Sequence, residues 1–81
     1  MISREAREAM NLLERLLEFR EDYFSNDCLN SEGRKVIEKV FLYLLNNEPL
    51  LKKRIAKLRK KPCYEDISRF YEGLRRLFRE F

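Results

Sequence analysis

Apolar side chains return along the first third of the chain at a helical interval. One row runs through Ala9, Leu12, Leu16, Phe19 and Tyr23, and a second through Ala6, Met10, Leu13, Leu17 and Phe24. At about 100° per residue the two rows cover roughly half a helix circumference. They predict a first helix capped by Ser3 and running to about Phe24, wide enough in its apolar face to touch more than one neighbour. The stretch SNDCLNSEG, residues 25–33, is dense in turn formers. Ser31 or Asn30 then suits the cap of a second helix, with Glu32 in its first turn, ending near Leu45. Asn46, Asn47 and Glu48 lead into Pro49, which disfavours helical geometry before it and suits the first position of a new helix. A third helix over about 49–61 follows, and Pro62 stops it. Ile67, Phe70, Tyr71, Leu74, Leu77, Phe78 and Phe81 trace the stripe of a fourth. Glu65 and Asp66 lie at its electropositive start.

Tyrosine and phenylalanine favour strands, yet here they fall at helical spacings, so no strand is expected. Short connections between four helices predict an all-α fold: a small four-helix bundle or an orthogonal helical array. If the second and third helices are one helix kinked at Pro49, three helices remain. With 81 residues the chain forms one domain, spanning 1–81, of a size at which a single core gives a modest stability margin. The longest apolar run, Val40 to Leu45, is too short to cross a membrane, and SREAREAM near the start is no secretory leader. A soluble, cytoplasmic protein is the expectation.

What the chain lacks narrows its chemistry. It contains no His, Trp, Gln or Thr, while Lys, Arg and Glu are abundant. That habit resembles proteins of thermophiles. Without histidine the usual general base and the commonest metal ligand are missing, and a Ser or Cys nucleophile lacks its normal activator. Two cysteines do not make a four-ligand zinc site, the Glu-x-x-His of bundle di-iron sites is absent, and two glycines supply no phosphate-cradling loop. Glu14, Glu18 and Glu21 share a face of the first helix, but alternate with arginines as a solvated side does. No catalytic residue, metal site or cofactor is expected.

The remaining signal is electrostatic. Residues 1–31 hold four cations and seven acids, residues 32–48 three of each, residues 49–61 seven cations and no acid, and residues 62–81 four of each. The net charge of +4 therefore describes a polarised molecule. In the third helix Leu51, Ile55 and Leu58 form a narrow apolar strip. Lys52, Lys53, Arg54, Lys57, Arg59, Lys60 and Lys61 fill the rest. Such an arc is either a solvated face answered in part by the acidic first helix, or a surface for phosphates. The narrow strip has no Phe or Trp to insert into a membrane. An acidic protein partner is the third reading. With DNA as partner, the second and third helices would form a helix-turn-helix with the third in the groove. Lysine outnumbers arginine in this segment, which suits backbone contact better than base reading. Arg69, Arg75, Arg76 and Arg79 extend the basic surface unless they pair with Glu72.

Two further features stand apart from that charge. The second helix is apolar around almost its whole girth, so either it is the central helix or Leu42 and Leu45 form a patch that docks on a second copy or another protein. Cys28 and Cys63 fall in loops that an up-down-up-down bundle places at one end. They form either a disulfide, worth about 4 kcal/mol for a closed loop of about 35 residues, or two reduced thiols. Arg20, between the apolar rows, either snorkels to solvent or contacts a carboxylate at the bundle end. The sequence thus points to a non-enzymatic accessory factor that binds DNA or RNA backbone and docks on itself or a larger nucleic-acid-processing complex. The alternative is a protein-interaction adaptor that touches no nucleic acid.

Overall fold

A computed structural model describes residues 3–78. The chain is an all-α bundle with one short hairpin: α1 (Arg4–Glu18), α2 (Arg20–Tyr23), β1 (Phe24–Ser25), β2 (Cys28–Leu29), α3 (Ser31–Asn47), a 3-10 turn (Pro49–Leu51), α4 (Lys52–Lys60) and α5 (Tyr64–Leu77). Local chemistry sets the helix starts. Ser3 Oγ accepts the Ala6 N–H at 3.0 Å, and Asn30 Oδ1 accepts the Gly33 N–H at 2.8 Å, so Asn30 and not Ser31 caps α3. Pro49 opens the 3-10 turn, where its missing N–H costs nothing.

Contacts between the helices fix their directions. Ser3 Oγ donates to Asn47 Oδ1, so the start of α1 meets the end of α3. Arg59 near the end of α4 reaches back to Glu38 on α3, at 3.0 Å. Arg20, just past α1, lies 4.2 Å over the ring of Tyr64 at the start of α5. The four long segments therefore alternate up and down. Their core is one cluster in which Met10, Leu13, Leu16, Val40, Phe41, Leu44, Ile55, Ile67 and Leu74 are fully buried. Helix α3 is the central helix, with Ile37, Val40, Phe41 and Leu44 buried and Val36, Tyr43 and Leu45 packed at the cluster's edge.

Several expectations are corrected. The first helix does not run unbroken to Phe24: it ends at Phe19, whose φ of −99° and ψ of 54° leave the helical region and whose ring is 48% exposed. The break re-aims the chain as the single turn α2, bringing the Asp22 and Tyr23 carbonyls to Asn30. Asn30 donates its side-chain amide to the first at 3.0 Å and its backbone N–H to the second at 2.9 Å. The turn-rich stretch contains strands after all. β1 and β2 pair antiparallel, Phe24 opposite Leu29 and Ser25 opposite Cys28, around Asn26 and Asp27 at φ of 53° and 68°. Both residues tolerate left-handed backbone, and a hairpin with positive φ at its two central positions matches the twist of its strands. Two-residue strands are too short to show an alternating pattern. On α5 the stripe is less complete than its spacing suggests, since Leu77 is half exposed, while Phe81 and Arg79 lie outside the described residues.

At the hairpin the third segment joins the first two. The Leu29 N–H donates to the Pro62 carbonyl at 2.9 Å and the Tyr64 N–H to the Asp27 carbonyl at 2.7 Å, and between these bonds Cys28 and Cys63 form a disulfide. Gly33 is required here: a Cβ would collide with the Tyr23 carbonyl oxygen and lie 2.7 Å from Leu29 Cδ2.

Candidate functional site

Helix α4 is a poor helix by itself. Nine residues are too few to persist alone in water, and Lys53, Lys57 and Lys61 repel one another at i,i+4 spacing. What favours it locally is the position of Lys57, Arg59 and Lys60 in its last turn, at the negative end of the helix dipole. Tertiary anchors do the rest. Leu51, Ile55 and Leu58 are buried on one side, and Arg59 clamps the helix to α3 through Glu38. The other cations project outward.

Lys52, Lys53, Arg54, Lys57, Lys60 and Lys61 are all exposed and have no carboxylate within ion-pair distance among the described residues; Arg59 alone of the seven is paired. The acidic face of α1 does not answer them. Glu14 accepts a long hydrogen bond from Tyr71 Oη at 3.5 Å, and neither Glu18 nor Glu21 makes an ion pair among the described residues. That contact, with burial first and the Glu14 charge second, pushes the Tyr71 phenol above its usual range.

Between α4 and α5 runs a groove of about 550 Å³. Arg54, Lys57, Lys60 and Lys61 line it from the α4 side, with Arg69 from α5. Its apolar residues are Leu58 and Phe70, Gly73 lines it without a side chain, and Asp66 is the one acid on it. Phe70 is half-buried and held edge-on against Phe41, ring centroids 6.4 Å apart. Arg69 also binds Glu65 at 2.6 Å, and Arg75 sits 3.8 Å from Glu72, so those arginines pair along their own helix, while Arg76 is exposed. The structure thus brings Arg54, Lys57, Lys60, Lys61 and Arg69 to one groove, while Lys52 and Lys53 lie outside its lining and Arg59 turns to Glu38. Leu58, Asp66, Phe70 and Gly73 were not legible as site residues: the first three look like ordinary core and cap positions, and only a glycine in mid-helix carries a signal.

A smaller hollow of about 360 Å³ lies against Cys63, lined also by Arg20, Asp27 and Tyr64. At its edge Arg20 donates to Asp27 Oδ1 at 2.5 Å and covers Tyr64, so Arg20 takes the carboxylate contact at the bundle end. Leu42 is 59% exposed on α3, whereas Leu45 is half-buried against the core. Helix α4 follows α3 through the Pro49–Leu51 turn, and Arg59 near its end reaches Glu38 on α3. Among the described residues no group of three or more His, Cys, Asp or Glu side chains is placed to hold a metal ion, and no helix is long and apolar enough to cross a membrane.

No protein-family model, no curated protein and no solved structure matches the chain.

Proposed function

We propose that the protein is a non-enzymatic accessory factor that binds the backbone of DNA or RNA through α4 and docks on itself or on a larger nucleic-acid-processing complex. The single observation that supports this most is that Lys52, Lys53, Arg54, Lys57, Lys60 and Lys61 are exposed without a carboxylate partner among the described residues. Lysines so exposed meet phosphates and release counterions without reading sequence. Arg59, already paired with Glu38, is expected to contribute less to this role than its unpaired neighbours.

The test is a salt titration of binding to nonspecific duplex and single-stranded oligonucleotides. Each phosphate neutralised contributes about −0.9 to the slope of log affinity against log salt for duplex, and about −0.7 for a single strand. A steep slope is expected; absence of binding to both forms at low salt would end this reading.

Leu42 supports a second, separable contact, since it is the large exposed apolar residue of α3. If it serves self-association, Leu42→Ser lowers the weight-average mass in sedimentation at high concentration. A wild-type monomer at that concentration removes the dimer and leaves the protein-adaptor reading for a foreign partner.

A further inference from the structure

We infer that the groove between α4 and α5 receives an unpaired nucleobase, which makes single-stranded nucleic acid the preferred polyanion. The inference rests on the phosphate-binding role of α4 and narrows it to one form of ligand.

Two independent observations carry it. The first is the chemistry of the groove: Leu58 and Phe70 line it together with the cations Arg54, Lys57, Lys60, Lys61 and Arg69, against one acid, Asp66. A purely apolar occupant leaves those charges desolvated, and a duplex, whose bases stay stacked inside, leaves the apolar surface unused. An unstacked nucleotide satisfies both, with its flat base against Phe70 and its phosphates on the cations. The volume of about 550 Å³ falls within the usual span for small organic ligands.

The second observation is Gly73. Glycine inside a helix is destabilising relative to alanine, so its presence needs a reason. Gly33 has one, because the Tyr23 carbonyl and Leu29 occupy the space a Cβ would take. Gly73 has neither a positive φ nor a crowded neighbour: a Cβ there would meet only Arg54 Nη1, at the ordinary van der Waals distance of 3.8 Å. The fold therefore does not demand a glycine at this position. What the missing side chain provides is open space in the groove, directly beneath the Arg54 guanidinium.

The experiment compares three labelled probes of equal length by fluorescence anisotropy at one salt concentration: oligothymidine, a mixed-sequence duplex, and an abasic strand that keeps the phosphates and lacks the bases. Oligothymidine is expected to bind most tightly, with the abasic strand weaker by about 5- to 140-fold, the span of one stacked base. Gly73→Leu fills the groove without removing a charge, and Phe70→Leu keeps the volume but removes the aromatic face. Each should cost oligothymidine a similar factor while duplex affinity stays within about twofold. Gly73→Ala adds a smaller group at the same place and should cost oligothymidine less than Gly73→Leu does, with a thermal melt of each variant checking that it is folded. Equal affinity for the oligothymidine and abasic strands, with no effect of Gly73→Leu, would overturn the groove assignment and leave backbone binding standing. Failure to bind any probe at low salt would instead overturn the backbone role, and this inference with it. Displacement of oligothymidine by polyglutamate at equal charge concentration would overturn the assignment in favour of an acidic protein partner.

Discussion

Arg59 binds Glu38 with two hydrogen bonds, Nε at 3.2 Å and Nη2 at 3.0 Å from the two carboxylate oxygens, while the same guanidinium lies 5.3 Å above the Phe41 ring. One cation of α4 thus faces inward as a clamp while its neighbours face water. Both side chains of the pair are about half exposed, so the interaction is screened and its worth is modest. Arg59→Ala should lower stability by about 1 kcal/mol in urea denaturation, the sum of a bidentate surface pair and a ring contact. Lys57→Ala should leave stability within about 0.5 kcal/mol. In nucleic-acid binding the order reverses: Lys57→Ala reduces the salt slope by about 1, and Arg59→Ala reduces it by less.

The disulfide gives a second prediction. Cys28 and Cys63 join the hairpin to the start of α5, beside the two backbone bonds that already pair those segments. Closing a loop of this length restricts the unfolded chain by about 4 kcal/mol on the chain-entropy estimate. The oxidised protein should migrate faster than the reduced protein on denaturing gels. The double Cys28→Ser, Cys63→Ser variant should melt at a clearly lower temperature, and an unchanged melting temperature would show that the bridge constrains nothing the backbone pairing had not.

The two glycines predict opposite outcomes from the same substitution. Gly33→Ala forces a methyl group against the Tyr23 carbonyl and Leu29, so overpacking should cost about 1–3 kcal/mol. Gly73→Ala places its methyl in open space within a helix and should stabilise by about 0.5–1 kcal/mol. Thermal melts of the two variants test both signs together.

Much of this arrangement is legible in the sequence, and the exceptions share a cause. Ser3, Asn30, Pro49 and Pro62 mark the helix boundaries because capping and the missing proline N–H act over three or four residues. The apolar rows of α1 and α3 locate the core for the same local reason. Phe19 fits a row by spacing, yet it is exposed, because the chain breaks there to meet Asn30, a partner eleven positions on that no periodicity encodes. The Asn26–Asp27 turn carries recognisable residue types, but its strands are too short to register beside it. In the candidate site the α4 cations stand out as a run, whereas their alignment with Arg69, Phe70 and Gly73 depends on how α5 packs, which is a tertiary fact.

Tyr71 predicts a pH dependence in the alkaline range. Burial, with the Glu14 carboxylate beside it, raises the phenol above its ordinary value of about 10. The folded protein then holds this proton more tightly than the unfolded chain does. Its contribution is fully present below about pH 10 and is lost as pH climbs through the raised folded value. Tyr71→Phe should flatten the alkaline decline of stability, and tyrosinate absorbance should show one tyrosine titrating late in the wild type.

Because the bridge links positions on either side of α3 and α4, those two helices sit on a covalently closed ring from Cys28 to Cys63. A protease that cuts the exposed junction at Pro49 and Leu50, where Leu50 is 88% accessible, opens the ring without releasing a fragment. The clipped molecule keeps its basic helix tethered at one end through the hairpin, and only a reductant separates the pieces.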